Sequence, residues 1–139
     1  NKLTNTVSLN NALHNEDGVS MNISNECRGG GDWAKKTNKA EESTTLRSIT
    51  VETILDKYQI EIVDLIKIDI EGAERFIFNK ENDLSYLKIT QIVALEIHDE
   101  FNIRKSIEAI LVEKNFLLFN SGELTIGINK LILTKLLDF

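Results

Sequence analysis

The stretch "DLIKIDIEGAERFIF", Asp64 to Phe78, decides the fold class of this chain. It lies across a nearly continuous apolar run at residues 62–70, and such a run is typical of a parallel strand covered on both faces. After Gly72 the apolar residues return at helical spacing, as at Phe76 and Ile77. The stretch therefore predicts a buried central strand, a tight turn at the glycine and a helix.

Later segments repeat this order of elements. A second buried run, "QIVALEI" at Gln91 to Ile97, precedes an apolar stripe of helical spacing over residues 103–111. Strand followed by helix, twice over, predicts an α/β fold with a mostly parallel sheet. Only a short connection separates the apolar runs at 116–119 and 131–133, so we expect these two runs to pair antiparallel at the C-terminal end.

The N-terminal third is less regular. Alternating apolar residues predict short strands within 6–13 and 19–24, with a turn between them. Residues 25–45 are polar and are predicted to form a long loop. Thr50 is placed to cap a helix that ends near Tyr58.

Length and composition limit the classes of function. The chain has 139 residues, of which 42% are hydrophobic, and this predicts one domain over residues 1–139. A net charge of -6 disfavours a nucleic-acid partner, because phosphate backbones need clustered Lys and Arg. We find no apolar run long enough to span a bilayer and no signal peptide, and Cys27 is the single cysteine. A cytoplasmic protein with a small-molecule partner is the expectation.

Acidic side chains follow both predicted parallel strands. Asp69 and Glu71 come at the end of the first strand, while Glu96 and His98 come at the end of the second. Because ligands of open α/β sheets bind at the carboxyl ends of the strands, we expect these groups to converge at one edge. Lys67 is predicted to lie inside a buried strand, where a cation needs a carboxylate or a ligand as partner.

Simpler interpretations of these residues remain open. Asp69 or Glu71 would also serve as helix caps, and Gly72 as a turn former. His98 would serve as a general base or as a hydrogen-bonded structural residue. Trp33, within the polar loop, would stack on a substrate ring or cover an apolar patch.

Four segments carry a resemblance to a known family. "VDLIKIDIEGAERFIF" at residues 63–78 resembles the signature block of the FkbM family of S-adenosylmethionine-dependent methyltransferases, and "IVALEIHDE" at 92–100 resembles its next strand. The segments "VSLNNALHNEDGVSMNIS" at 7–24 and "LRSITVETILDKY" at 46–58 are similar to the family's upstream elements. The resemblance implies a Rossmann-like methyltransferase fold and methyl transfer to a hydroxyl of a sugar or polyketide-like metabolite.

The resemblance also implies roles for individual residues. Asp69, Glu71 and Gly72 would lie beside the methyl-bearing end of S-adenosylmethionine and the substrate. Asp69 is the first candidate for the base, His98 is the alternative, and Glu71 supports them. Independently of the resemblance, the residue arguments above make Lys67, Glu96 and Trp33 candidate substrate contacts, and no residue is assigned to a metal.

The family's glycine-rich cofactor motif, and the acidic residue that holds the ribose, have no counterpart in this sequence. We therefore expect a partial methyltransferase domain in which the N-terminal strands are missing. Such a chain alone would bind the cofactor weakly and be inactive. Its exposed sheet edge would favour self-association.

Two other functions are considered. Asp69 and Glu71 form the Asp-x-Glu pattern with which a strand holds divalent ions for phosphodiester cleavage, which predicts a metal-dependent nuclease. The other alternative is a non-catalytic remnant of a methyltransferase, which would fold only with a partner or merely bind.

Overall fold

The computed structural model describes residues 4–23, 37–39, 45–98 and 102–132. It shows a mixed α/β chain. The elements in chain order are β1 (Asn11–Leu13), β2 (Met21–Ile23), β3 (Thr37–Lys39), β4 (Arg47–Ile49), α1 (Val51–Tyr58), β5 (Val63–Ile68), α2 (Glu74–Ile77), a 3-10 turn (Ser85–Lys88), β6 (Thr90–Glu96), α3 (Arg104–Glu113), β7 (Phe116–Ser121) and β8 (Leu124–Asn129).

Two small sheets form from the N-terminal third. Strand β1 pairs with β4 in parallel, and β2 pairs with β3 antiparallel. Helix α1 then begins at the predicted cap, since the Thr53 N–H donates to Thr50 Oγ1 over 3.1 Å. Asp17 holds this end as well, because its Oδ1 accepts the Thr50 N–H at 2.8 Å and its Oδ2 accepts the Thr53 hydroxyl at 2.7 Å. The predicted cap and the predicted end at Tyr58 are confirmed.

The main sheet has four strands in the order β5-β6-β8-β7. Strands β5 and β6 run parallel, with Ile68 opposite Leu95, whereas β6 pairs with β8 and β8 with β7 antiparallel. Strand β6 therefore has a neighbour on each side. This parallel pair determines which side chains meet at the carboxyl ends of β5 and β6.

The hydrophobic core lies around β6 and α3. Val93 and Leu95 of β6 and Leu111 of α3 are fully buried, in one cluster with Phe116 of β7. Gly127 of β8 packs directly against this cluster, because a Cβ at this position would lie 2.7 Å from Val93 Cγ2. A glycine is needed here because the side chain of β6 fills the space that another residue would occupy.

The environment of β5 differs from the prediction. The run at 62–70 was predicted to be covered on both faces, but Ile62 is 66% exposed and Leu65 is 57% exposed. Among the strands that the structure describes, β5 pairs only with β6, so it forms an edge of the four-stranded sheet. The expectation of a buried central strand is wrong for this reason, although the strand itself and the turn after it are confirmed.

Two further differences concern strand pairing. Strand β7 pairs with β8 and not with the described part of the predicted partner run, because residues 130–132 are helical, while residue 133 lies outside the described residues. Gly122 adopts a φ of 60° in the turn after β7, so the chain reverses at once and pairs with the next residues available. The four-stranded sheet consequently has one parallel and two antiparallel pairs and is less parallel than expected. The predicted loop at 25–45 differs as well, because residues 37–39 within it form strand β3.

Candidate active site at the carboxyl ends of β5 and β6

The candidate site begins where the two parallel strands end. Asp69 directly follows β5, and His98 lies two residues after β6. Arg104 of α3 fixes the segment before His98, because its Nη2 donates to the Ile97 carbonyl over 3.0 Å and its Nη1 to Thr125 Oγ1 over 2.8 Å. The sheet register and this arginine together place the His98 imidazole beside the turn that follows β5.

The turn after β5 contains two consecutive left-handed residues. Glu71 has a φ of 54° and Gly72 has a φ of 94°. Glycine adopts this conformation without steric cost, whereas for glutamate it is unusual and requires support from its surroundings. The Ile70 N–H donates to Glu74 Oε1 over 3.0 Å, which closes the turn onto the first residue of α2. The structure thus gives Gly72 the role of a turn former.

His98 lies between two carboxylates. Its Nε2 is 3.3 Å from Glu71 Oε2, and its Nδ1 is 3.4 Å from Glu74 Oε1. The imidazole is 12% exposed and Glu74 is fully buried. One ligand-type atom each from Asp69, Glu71 and His98 lie within 4.8 Å of one another. The predicted convergence of these three residues is therefore observed in the structure.

Glu74 is the residue of this site that sequence reasoning missed. Its position in the first turn of a helix indicates only a favourable interaction with the helix dipole. In the structure it is buried, accepts the Ile70 N–H and faces His98. Its i+4 relation to Ile70 is compatible with such a backbone contact, but the contact with His98 depends on β6, which lies elsewhere in the sequence.

Lys67 does not lie in a buried environment. Its side chain is 55% exposed and its Nζ forms an ion pair with Asp69 Oδ2 at 3.1 Å. The predicted partner carboxylate is present, but the argument from a buried cation is wrong because β5 is an edge strand. An exposed ion pair of this kind contributes only about 0–1 kcal/mol to stability.

Glu96 is partly buried at the end of β6. Desolvation raises its pKa, and the nearby charges of Asp69 and Glu123 raise it further, while His98 and Lys67 act in the opposite direction. Burial at the end of β6 is thus the main cause of the raised pKa, and the neighbouring carboxylates of Asp69 and Glu123 add to it.

Other candidates lie away from this cluster or outside the described residues. Trp33 lies outside the residues that the structure describes, so its predicted substrate contact stays a prediction. His14 packs its ring 5.4 Å from that of Phe76. It lines a separate cleft of about 410 Å³, together with Glu52 and the buried Tyr86.

Comparison with known proteins places the chain in a family. In the part of the chain that the structure describes, no helix has the length and apolarity to cross a membrane. No curated protein and no solved structure matches the sequence. The family model described as the methyltransferase FkbM domain matches residues 2–120 and so favours neither of the alternative functions. This chain belongs to the FkbM methyltransferase family.

Proposed function

We propose that this chain forms the acceptor side of an S-adenosylmethionine-dependent O-methyltransferase whose acceptor is a hydroxyl group of a sugar or another small metabolite. Family membership supports methyl transfer in general. The convergence of Asp69, Glu71 and His98 at the ends of two parallel strands is the observation that carries the proposal. Sites of this kind are built from several strand ends.

The residues present fit the cationic end of the cofactor. When bound, S-adenosylmethionine would supply a methyl group carried by a positively charged sulfur. A hydroxyl oxygen would attack the methyl carbon in line with the carbon–sulfur bond that breaks. Asp69 and Glu71 provide two carboxylates at this edge. Desolvation raises the pKa of Glu96 next to them, and the charge of Asp69 adds to this rise. We propose that Asp69 and Gly72 contact the cofactor, with Glu71 next to them.

The two candidate bases differ in accessibility. Asp69 has 34% of its side chain exposed, so a bound hydroxyl reaches its carboxylate directly. His98 is 12% exposed, and its Nε2 faces Glu71. We therefore propose Asp69 as the first acceptor of the hydroxyl proton and His98 as the alternative. Lys67 and Glu96, which flank Asp69 on the two strands, are proposed to contact the acceptor.

The activity test uses the natural full-length protein and a panel of hydroxyl acceptors, with release of S-adenosylhomocysteine as the measurement. Loss of a general base lowers turnover by about 10²–10⁴-fold, which we expect for Asp69→Asn, with a reduction in His98→Ala as well. Glu61→Gln is the matched control, since this exposed carboxylate lies just before β5 at its other end. Turnover at the control level in both variants would contradict the assignment.

A second experiment concerns the cofactor itself. The 139 residues contain no G-x-G-x-x-G segment. We therefore propose that they bind S-adenosylmethionine weakly by themselves and act as part of a longer chain that carries the cofactor motif. Calorimetric titration of the 139-residue chain with S-adenosylmethionine is the measurement, and micromolar affinity would refute this point.

A further inference from the structure

We propose that Asp69, Glu71 and His98 form a binding site for one divalent transition-metal cation, such as Mn²⁺, Fe²⁺ or Zn²⁺. In the sequence, Asp69 and Glu71 are considered as metal ligands only under the nuclease alternative, and His98 is not grouped with them. The structure brings one ligand-type atom of each within 4.8 Å of the other two. Binding of a cation at this site does not require methyl transfer.

The distances fit a metal polyhedron. Metal bonds of about 2.0–2.2 Å to carboxylate oxygen and imidazole nitrogen place neighbouring ligand atoms about 3 Å apart and opposite ones a little over 4 Å apart. Glu71 Oε2 and His98 Nε2 are 3.3 Å apart, which matches a pair of neighbouring ligands. The three ligand atoms, including that of Asp69, all lie within 4.8 Å of one another. A small inward movement of the exposed Asp69 side chain would bring them to metal-binding distances.

Glu74 provides an independent observation. A metal-binding histidine usually directs its second ring nitrogen at a carboxylate, which fixes the tautomer and the ring orientation. The His98 Nδ1 lies 3.4 Å from Glu74 Oε1, near a carboxylate but without a hydrogen bond among the described residues, while its Nε2 faces Glu71. Glu74 is held in place by the Ile70 N–H. The Nε2 atom, which lies on the side of Glu71, is therefore the ring nitrogen available to a cation.

The burial of Glu74 also supports a cation at this site. The residue is 0% exposed, and its Oε2 has no hydrogen-bond partner among the described residues. A carboxylate buried without a compensating positive charge is destabilising. Lys67 does not provide that charge, because its Nζ is exposed and paired with Asp69. A cation beyond the Nε2 atom of His98 would place positive charge beside Asp69 and Glu71 and close to the buried Glu74.

The ligand types select the class of ion. Imidazole suits first-row transition ions, whereas carboxylates also suit Mg²⁺ and Ca²⁺. One nitrogen with two carboxylate oxygens therefore favours Mn²⁺, Fe²⁺ or Zn²⁺ over the purely oxygen-preferring ions. If the proposed function is right, the open positions of such an ion would take the acceptor hydroxyl and lower its pKa.

The test is a titration of the natural full-length protein with Mn²⁺, followed by the loss of the electron paramagnetic resonance signal of free Mn²⁺, without cofactor or acceptor. We expect Glu71→Gln and His98→Ala to weaken binding at least about tenfold, and Glu74→Gln to weaken it by about 10- to 100-fold through its effect on His98. Glu61→Gln should bind as the wild type does. Circular dichroism establishes that each variant is folded.

The same sample provides a measurement that does not depend on variants. Spin-echo spectra of bound Mn²⁺ should show coupling to an imidazole nitrogen, and His98→Ala should lack it. Failure of Mn²⁺ to bind, or equal affinity in Glu71→Gln and Glu61→Gln, would overturn the proposal. Binding without methyl transfer to any acceptor would support the cation site and contradict the proposed function, whereas transfer unaffected by chelators, with no Mn²⁺ bound, would do the reverse.

Discussion

Strands β5 and β6 are parallel neighbours of similar composition in very different environments. The sequences VDLIKI and TQIVALE both consist mainly of β-branched and aliphatic residues. In β6, Val93 and Leu95 are fully buried, whereas in β5 Leu65 is 57% exposed. The difference arises from sheet order, because β6 has β8 on its second side and β5 is an edge among the described strands. Apolar content identifies a strand, but its neighbours decide its burial.

The largest expected effect is the difference in unfolding free energy between a substitution in β6 and one in β5. Leu95→Ala should lower the free energy of unfolding by about 2–5 kcal/mol, because it leaves a cavity in the core. Leu65→Ala should change it by no more than about 0.5 kcal/mol, as exposed substitutions usually do. Chemical denaturation of both variants is the measurement. Equal losses would show that the outer side of β5 is covered in solution, for example by a second copy of the chain.

A smaller effect is expected from the contact of β6 with β8. Gly127→Ala should destabilise the fold by about 1–3 kcal/mol, because the new methyl group meets the Val93 side chain in a filled core. In a Val93→Ala background the same substitution should be less destabilising, since the colliding methyl group is gone. A double-mutant cycle of unfolding free energies measures this coupling. Additive losses would contradict the close packing.

The smallest effect concerns charge at the end of β6. Desolvation, with Asp69 and Glu123, raises the pKa of Glu96 in the folded chain, so ionisation of this residue opposes folding at neutral pH. Glu96→Gln should therefore be slightly more stable than the wild type at pH 7. The difference should shrink as pH falls from the raised pKa towards the ordinary glutamate value of about 4.3, where the wild type recovers. Thermal unfolding at several pH values, with Glu61→Gln as control, checks the sign.

The sequence predicts part of this site well. The convergence of Asp69, Glu71 and His98 follows from one rule, since the carboxyl ends of parallel strands lie on the same edge. The turn at Gly72 follows from local chemistry. The first inference needs only the identity of the two strands and their direction, and the second needs only the glycine itself.

Other features depend on residues far away in sequence. Lys67 was placed in a buried environment because nothing in β5 itself distinguishes an edge strand from a central one. The role of Glu74 depends on an imidazole 24 positions later, which the sheet register brings within 3.4 Å of it. Pairing of β7 with β8 was missed because the glycine turn is a stronger determinant than the apolarity of residues 131–133.

The position of β5 has a consequence for how long the site exists as a unit. Asp69 and Glu71 follow β5, whereas His98 follows β6, and the main-sheet contact of β5 is with β6 alone among the described strands. An edge strand can detach by local unfolding while β6, β8 and β7 stay folded. Each such opening separates the carboxylates from the imidazole. The rate at which amide hydrogens of β5 exchange with solvent would thus also report how often the site comes apart.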